Sequence, residues 1–131
     1  RRTNGNVSGD IQIYVADTMG EMLNMLAAAD VVVMGGSLYS GGGGHNPIEP
    51  AALGKATLIG ADHINFTSIV TELTDAGAMA VCESMPALQG EVIRLLNNRD
   101  AREAMGQKGL DVVESNRGAV ELLLELVKEQ L

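Results

Sequence analysis

The chain has 131 residues and a net charge of −8, nine Lys and Arg standing against 17 Asp and Glu. That length makes one domain or part of one, able to bury roughly two-thirds of its surface. Hydrophobic residues at 46% exclude wholesale disorder, and aromatics at only 2% (Tyr14, Tyr39, Phe66) argue against a base-stacking nucleic-acid platform. The acidic balance repels polyanions and anionic membrane surfaces, so no nucleic-acid partner is expected. A small anion is still admissible, because backbone N–H groups hold it without net positive charge. Cys82 is the only cysteine, which rules out an intrachain disulfide and suggests a reducing compartment. The most apolar stretch, residues 27–34, contains Asp30 and is far below the ~20 residues of a membrane span. The opening Arg1-Arg2-Thr3-Asn4-Gly5 has no apolar segment behind it and does not read as a signal peptide.

Residues 11–16 alternate and are rich in β-branched side chains, which predicts a strand. Asp17-Thr18 offers an N-cap, and Glu21 stands three residues after Thr18, a capping-box spacing; 19–29 should then be a helix. Residues 31–34, Val-Val-Val-Met, form the continuous apolar run of a strand covered on both faces. A glycine-rich loop runs from Gly35 to His45. Asn46-Pro47-Ile48-Glu49 is the clearest local signal: an N-cap Asn, Pro at the first helical position and Glu completing the box. This short helix should end near Leu53 and stop at Gly54. Residues 56–59 read as a buried strand ended by Gly60, 66–76 as an amphipathic helix with Gly77 after it, and 78–82 as a fourth strand. Helices are expected over 86–97, over 101–114 behind the cap Asp100, and over 119–130, where Leu122, Leu123, Leu126 and Val127 share a face. Strands alternating with helices in this way imply an α/β fold, a parallel sheet with helices on both faces.

Ligands of open α/β sheets bind beyond the carboxyl ends of the strands. Two junctions there carry unusual residues: 17–21 after the first predicted strand and 35–49 after the second. Both should open on one rim. Glycines let backbone approach a ligand, and the helix beginning at Pro47 points its positive dipole end at the rim. Glu49 could accept hydrogen bonds from a ribose diol, so a nucleotide is a sensible guest. The glycine run is neither a P-loop, since no Gly-Lys-Ser/Thr follows it, nor a Gly-x-Gly-x-x-Gly fingerprint.

Each candidate also has a plainer reading. Asn46 with Glu49, and Thr18 with Glu21, could do nothing but cap helices. The glycine loop could be a connector. His45 could bond only to backbone, and isolated His63 has no second His or Cys at ligand spacing. Cys82 reads as a small apolar core residue, Ser37 lacks a nucleophile-elbow context, and the seven methionines are core filler except Met19 on the rim.

At these residues the sequence resembles the bacterial 3-deoxy-D-manno-octulosonic acid (Kdo) transferases. Asp17-Thr-Met-Gly-Glu-Met22, Ala29-Asp30, Gly35-Gly-Ser-Leu38, Gly43-Gly-His-Asn-Pro-Ile-Glu-Pro-Ala51 and Asn65-Phe66 occur in the same order and at nearly the same spacing. The resemblance covers almost the whole chain. It implies the C-terminal, Rossmann-like domain of a glycosyltransferase B architecture: residues 1–131 as a single, partial domain, with 100–131 its helical cap. It implies a CMP-Kdo donor, a lipid A precursor as acceptor, no cofactor and no metal. Donor contacts fall on Met19, Gly20 and Glu21 and on Asn46, Pro47, Ile48 and Glu49, with Gly35, Gly36 and Ser37 as loop contacts. The family's N-terminal domain, membrane anchor and catalytic Glu, and a Pro-Arg pair near the donor phosphate, have no counterpart here. The glycine loop is one residue longer than in the family pattern, and Gly60-Ala-Asp62 stands where that pattern has Gly-Pro-His. A sheet without its first strands has an unpaired edge, which predicts self-association or marginal stability.

Overall fold

Residues 56–60 are Ala-Thr-Leu-Ile-Gly, and every one of them is buried. Such a run must be covered on both faces and paired on both edges. The computed structural model, which describes residues 9–16 and 19–130 (119–130 by backbone alone), places it at the centre of a parallel sheet. Strand β1 (Val31–Met34) pairs with β2 (Ala56–Gly60), and β2 pairs with β3 (Met79–Cys82). The register sets Met34 beside Ile59 and Gly60 beside Cys82, so all three carboxyl ends reach one rim.

Helices cover both faces, as the alternation predicts. On one face, Val32, Met34 and Ile59 pack with Val70 and Leu73 of helix α3 (Thr67–Asp75) and with Ala51 of helix α2 (Ile48–Ala52). Helix α1 (Met22–Ala28) adds Leu26 at the margin. On the other face, Ala56, Leu58 and Cys82 meet Leu88 and Leu95 of helix α4 (Met85–Asn97). Helix α5 (Arg99–Gln130) gives Ala101 and Met105 to that cluster and Val112 and Val113 to the first, so it crosses from one face to the other. Each fully buried Leu or Ile contributes about 1.5–3 kcal/mol through removal from water.

Several expectations are corrected. Residues 11–16 are not a strand; Ile13 and Val15 are 82% and 66% exposed. A strand exists only through its ladder, and no described segment offers one there. The Asp17-Thr18 cap lies outside the described residues. Glu21 itself occupies the N-cap position of α1, with no side-chain capping bond. β1 is not covered on both faces: it is the sheet's edge among the described residues, and Val33 is 39% exposed. The predicted fourth strand is therefore the third of the sheet. The helix expected from 66 begins as a 3-10 turn, Ile64–Phe66, before α3. The two C-terminal helices are one, because the 115–118 segment contains no proline and one Gly costs a helix only about 1 kcal/mol. Its cap is Asn98, whose Oδ1 accepts from the Ala101 N–H at 3.0 Å, and not Asp100. The face predicted for 119–130 rests on side chains outside the described set.

The stops at Gly54 and Gly77 hold, both residues having positive φ (64° and 70°). Gly106 of α5 packs against the backbone after α2 so closely that a Cβ there would overlap the Gly54 carbonyl. Gly90 of α4 faces open space. Near the rim, buried Ser37 ties β1 to β2. Its hydroxyl donates to the Met34 carbonyl at 2.6 Å and accepts from the Gly60 N–H at 2.8 Å.

Three outcomes are expected in urea denaturation. Gly106→Ala destabilises despite alanine's better helix propensity, whereas Gly90→Ala stabilises by about 0.5–1 kcal/mol. Ser37→Ala costs about 1–3 kcal/mol, because it strands a buried N–H and a buried carbonyl.

Candidate functional site

The rim is built on the loop from Gly35 to His45. Four consecutive glycines, 41–44, have no side chains with which to fix themselves, and Gly41, Gly43 and Gly44 adopt positive φ. Their partners come from across the loop and from the segment after β2. The Gly44 N–H donates to the Gly36 carbonyl at 3.2 Å, and the Asn65 N–H donates to the Gly43 carbonyl at 3.2 Å. The Asp62 N–H donates to the Ser37 carbonyl at 3.1 Å. Asp62 Oδ2 accepts from Gly41 at 2.5 Å and from Gly42 at 3.1 Å. A Cβ on Gly42 would overlap the Gly36 carbonyl, so the two limbs of the loop touch only because that residue is glycine.

After the loop the chain turns into α2. Asn46 Oδ1 accepts the Ile48 N–H at 3.1 Å, and Pro47 is already in the right-handed helical region (φ −82°, ψ −6°). Asn46 thus bonds the first turn as its residue type suggests, but the predicted capping box is corrected: the N-cap position falls on Pro47, one residue later, and Glu49 makes no bond back to Asn46. α2 has only five residues, so its dipole is a fraction of that of a long helix. Pro47 has no N–H and Ile48's is taken, which removes two of the donors the dipole argument relied on.

Two clefts flank the loop. One, of about 450 Å³, lies between α1 and α2 at the end of β1. Met22, Leu26 and Met34 form its apolar walls, while His45, Asn46 and Glu49 supply its polar groups. The structure thus brings Asn46, Glu49 and Gly35 together. It does not bring in the other predicted residues. Met19 is 98% exposed and lines neither rim cleft, and neither do Gly20 and Glu21. They lead directly into Met22, which does line the first cleft, and the Glu21 carbonyl accepts from Met25 N–H in the first turn of α1. Pro47 is buried beneath α2, and Ile48 points away from the cleft lining. Gly36 packs under the His45 ring. Ser37 spends its hydroxyl on the tie between β1 and β2.

The second cleft, about 600 Å³, opens between the loop and the ends of β2 and β3, with Tyr39, Ser40, His63 and Glu83 in its lining. His63 Nδ1 donates to the Gly60 carbonyl at 2.9 Å. Cys82 is buried beside this cleft, and burial, with the nearby Glu91 charge, pushes its thiol up from its ordinary value. A raised thiol pKa gives stability that is complete below the unfolded pKa and is lost as pH rises toward the folded one. Neither cleft is lined by Lys or Arg. Among the described residues no three His, Cys, Asp or Glu converge as a metal set. Asp62 and Asn65, which hold the glycine loop, were missed as its supports by sequence reasoning; the signal was an acidic residue just past the Gly60 strand stop.

Residues 3–112 match the family described as glycosyl transferases group 1. The chain is 37% identical over 132 aligned residues to the 3-deoxy-D-manno-octulosonic acid transferase of Haemophilus influenzae, covering all of this chain and 31% of that protein. A probable mitochondrial 3-deoxy-D-manno-octulosonic acid transferase of Arabidopsis thaliana is 34% identical over 105 residues, 79% of this chain and 24% of that one. The crystal structure of the C-terminal CMP-Kdo binding domain of WaaA from Acinetobacter baumannii aligns with a TM-score of 0.74 at 33% identity, covering 78% of this chain and 53% of that one. The chain spans less than a third of the length of the two transferases. The likeness to Kdo transferases drawn from the motifs is borne out by these relatives, and the Rossmann-like architecture by the solved domain. On the match over residues 3–112, the chain belongs to the glycosyl transferases group 1 family.

Proposed function

We propose that this chain supplies the nucleoside-recognising part of the donor site in a Kdo transferase of lipopolysaccharide synthesis. The observation that carries the reading is the joint presence of Asn46 and Glu49, from the most specific motif, in one cleft at the carboxyl rim. The printed description of the solved relative, a CMP-Kdo binding domain, supports the same ligand. A pyrimidine fits the apolar walls of Met22, Leu26 and Met34, and Glu49 accepts from the ribose hydroxyls. A carboxylate repels phosphate, so Glu49 serves the sugar edge of the nucleoside and not the phosphate. With no Lys or Arg lining the cleft, the phosphate charge is met by backbone N–H groups and by parts of the enzyme beyond this chain. Met19, Gly20 and Glu21 close on the nucleotide from the start of α1, and Pro47 and Ile48 act by placing Asn46 and Glu49.

In the intact enzyme the bond between the Kdo anomeric carbon and the CMP oxygen breaks. A hydroxyl of the lipid A precursor attacks that carbon from the opposite face, so the configuration inverts. The base is a Glu of the other domain, and no metal or cofactor enters. The work is done at the cytoplasmic face of the inner membrane, the chain itself having no described helix long and apolar enough to cross. The 131 residues alone therefore bind nucleotide without transferring Kdo.

Calorimetric titration tests this. CMP and cytidine bind with affinities of the same order, since the nucleoside carries recognition here, and Glu49→Ala weakens both about tenfold or more through loss of charged hydrogen bonds. No CMP binding, or equal affinity in Glu49→Ala, overturns the reading. UDP binding tighter than CMP points instead to the donor domain of another nucleotide-sugar transferase.

The proposal extends to assembly. Among the described residues the outer edge of β1 pairs with no strand, and Val33 on it is exposed. Such an edge templates a second copy. Sedimentation should show a mass that rises with concentration; a constant monomer mass removes self-association from the proposal.

A further inference from the structure

The polypeptide from Gly41 to Gly44 has no side chain to anchor it, yet it leads directly into His45 and Asn46 of the nucleotide cleft. Two successive N–H groups, of Gly41 and Gly42, converge on a single carboxylate oxygen, Asp62 Oδ2, at 2.5 and 3.1 Å. This is an anion nest, and the chain fills it with its own carboxylate. The same residue's N–H holds the Ser37 carbonyl at 3.1 Å, so Asp62 joins the entry of the loop to its apex. Further along, Gly43 and Gly44 are fixed only through backbone groups, of Asn65 and Gly36. The His45 ring lies over Gly36, where a Cβ would come within 3.2 Å of its Nε2. A glycine run at positive φ keeps one conformation only when surrounding contacts over-determine it. Asp62 is the one side chain among the described residues that accepts from this run.

We propose that Asp62 is the positioning residue of the donor cleft. Its carboxylate pins the apex of the glycine loop, and four residues after Gly42 the pinned backbone fixes where Asn46 enters the cleft. It touches no ligand. The ligand half of this inference rests on the nucleotide reading above; the pinning itself does not.

The test uses the 131-residue chain, with amide hydrogen exchange and CMP titration run on the same samples. In the wild type the Gly41 and Gly42 amides are protected, although Gly41 is exposed to solvent. Asp62→Ala speeds their exchange and weakens CMP binding, each about tenfold, with the Glu49 side chain untouched. Asp62→Asn, which keeps an accepting oxygen, stays within about threefold of wild type on both readouts. Added formate, entering the vacated nest, recovers part of the Asp62→Ala loss, and chloride at equal ionic strength does not. A general loss of packing would not respond to formate. Unprotected Gly41 and Gly42 amides in the wild type overturn the pinning, and they do so even if Asp62→Ala fails to fold. Faster exchange with unchanged CMP affinity overturns the positioning role. If the wild type binds no CMP, the nucleotide reading and the ligand half fall together, and the exchange data alone decide whether Asp62 pins the loop.

Discussion

A loop made of glycines can present its backbone to a ligand, but it cannot hold itself in place. Every contact that fixes it must be made by main-chain groups or by a neighbour. In this chain the neighbour is the segment leaving β2. Ser37, Asp62 and Asn65 knit the loop to that segment, and a central strand buried on both faces holds the segment in turn. The rim's geometry therefore depends on the sheet through a short series of backbone bonds. The cleft between α1 and α2 inherits its shape from them, because His45 and Asn46 continue the same backbone.

Charge constrains the chemistry more than shape does. The chain carries a net charge of −8, and the basic side chains with described partners lie away from the rim. Lys55 Nζ bonds the Ala27 carbonyl, and Arg102 pairs with Asp30 and with the carbonyls ending α4; these contacts gather at the amino end of the sheet. Arg94 and Arg99 are engaged with Glu91 and Glu103 on exposed helix surfaces. Exposed pairs of that kind contribute little to stability. An anionic ligand at the rim thus gains no long-range attraction from this chain. Recognition at the cleft must come from shape and from hydrogen bonds to neutral parts of the ligand.

What the sequence revealed, and what it hid, follows from how far each signal reaches. The start of α2 beside Asn46, to within a residue, the stops at Gly54 and Gly77 and the buried run of β2 were legible because each depends on a few adjacent residues. The alternating segment 11–16 misled because alternation describes a strand's faces and says nothing about whether a partner exists for its edges. The continuity of α5 was hidden for the opposite reason: a Gly and a polar patch suggest a break, but without a proline a single Gly costs a helix only about 1 kcal/mol and does not force one. The site was half legible. Motif residues 46 and 49 meet in the cleft, whereas Met19 lies outside it, because a spacing on paper does not say which side of a turn faces inward.

Asp62 shows how a glycine run and an acidic residue far from it in sequence can compensate one another. Neither is informative alone. A run of glycines raises the conformational freedom lost on ordering a loop, and an acidic residue at a strand end is unremarkable on a surface. In the fold they meet: the carboxylate accepts from two neighbouring glycine N–H groups at the apex of the loop. A neutral imidazole at that position would offer a single acceptor nitrogen, and an imidazolium none. A carboxylate oxygen has two lone pairs and a charge, and it can take both N–H groups at once. The glycine run and the acidic residue therefore act as one device, in which the backbone freedom of the first is matched by the acceptor that the second supplies.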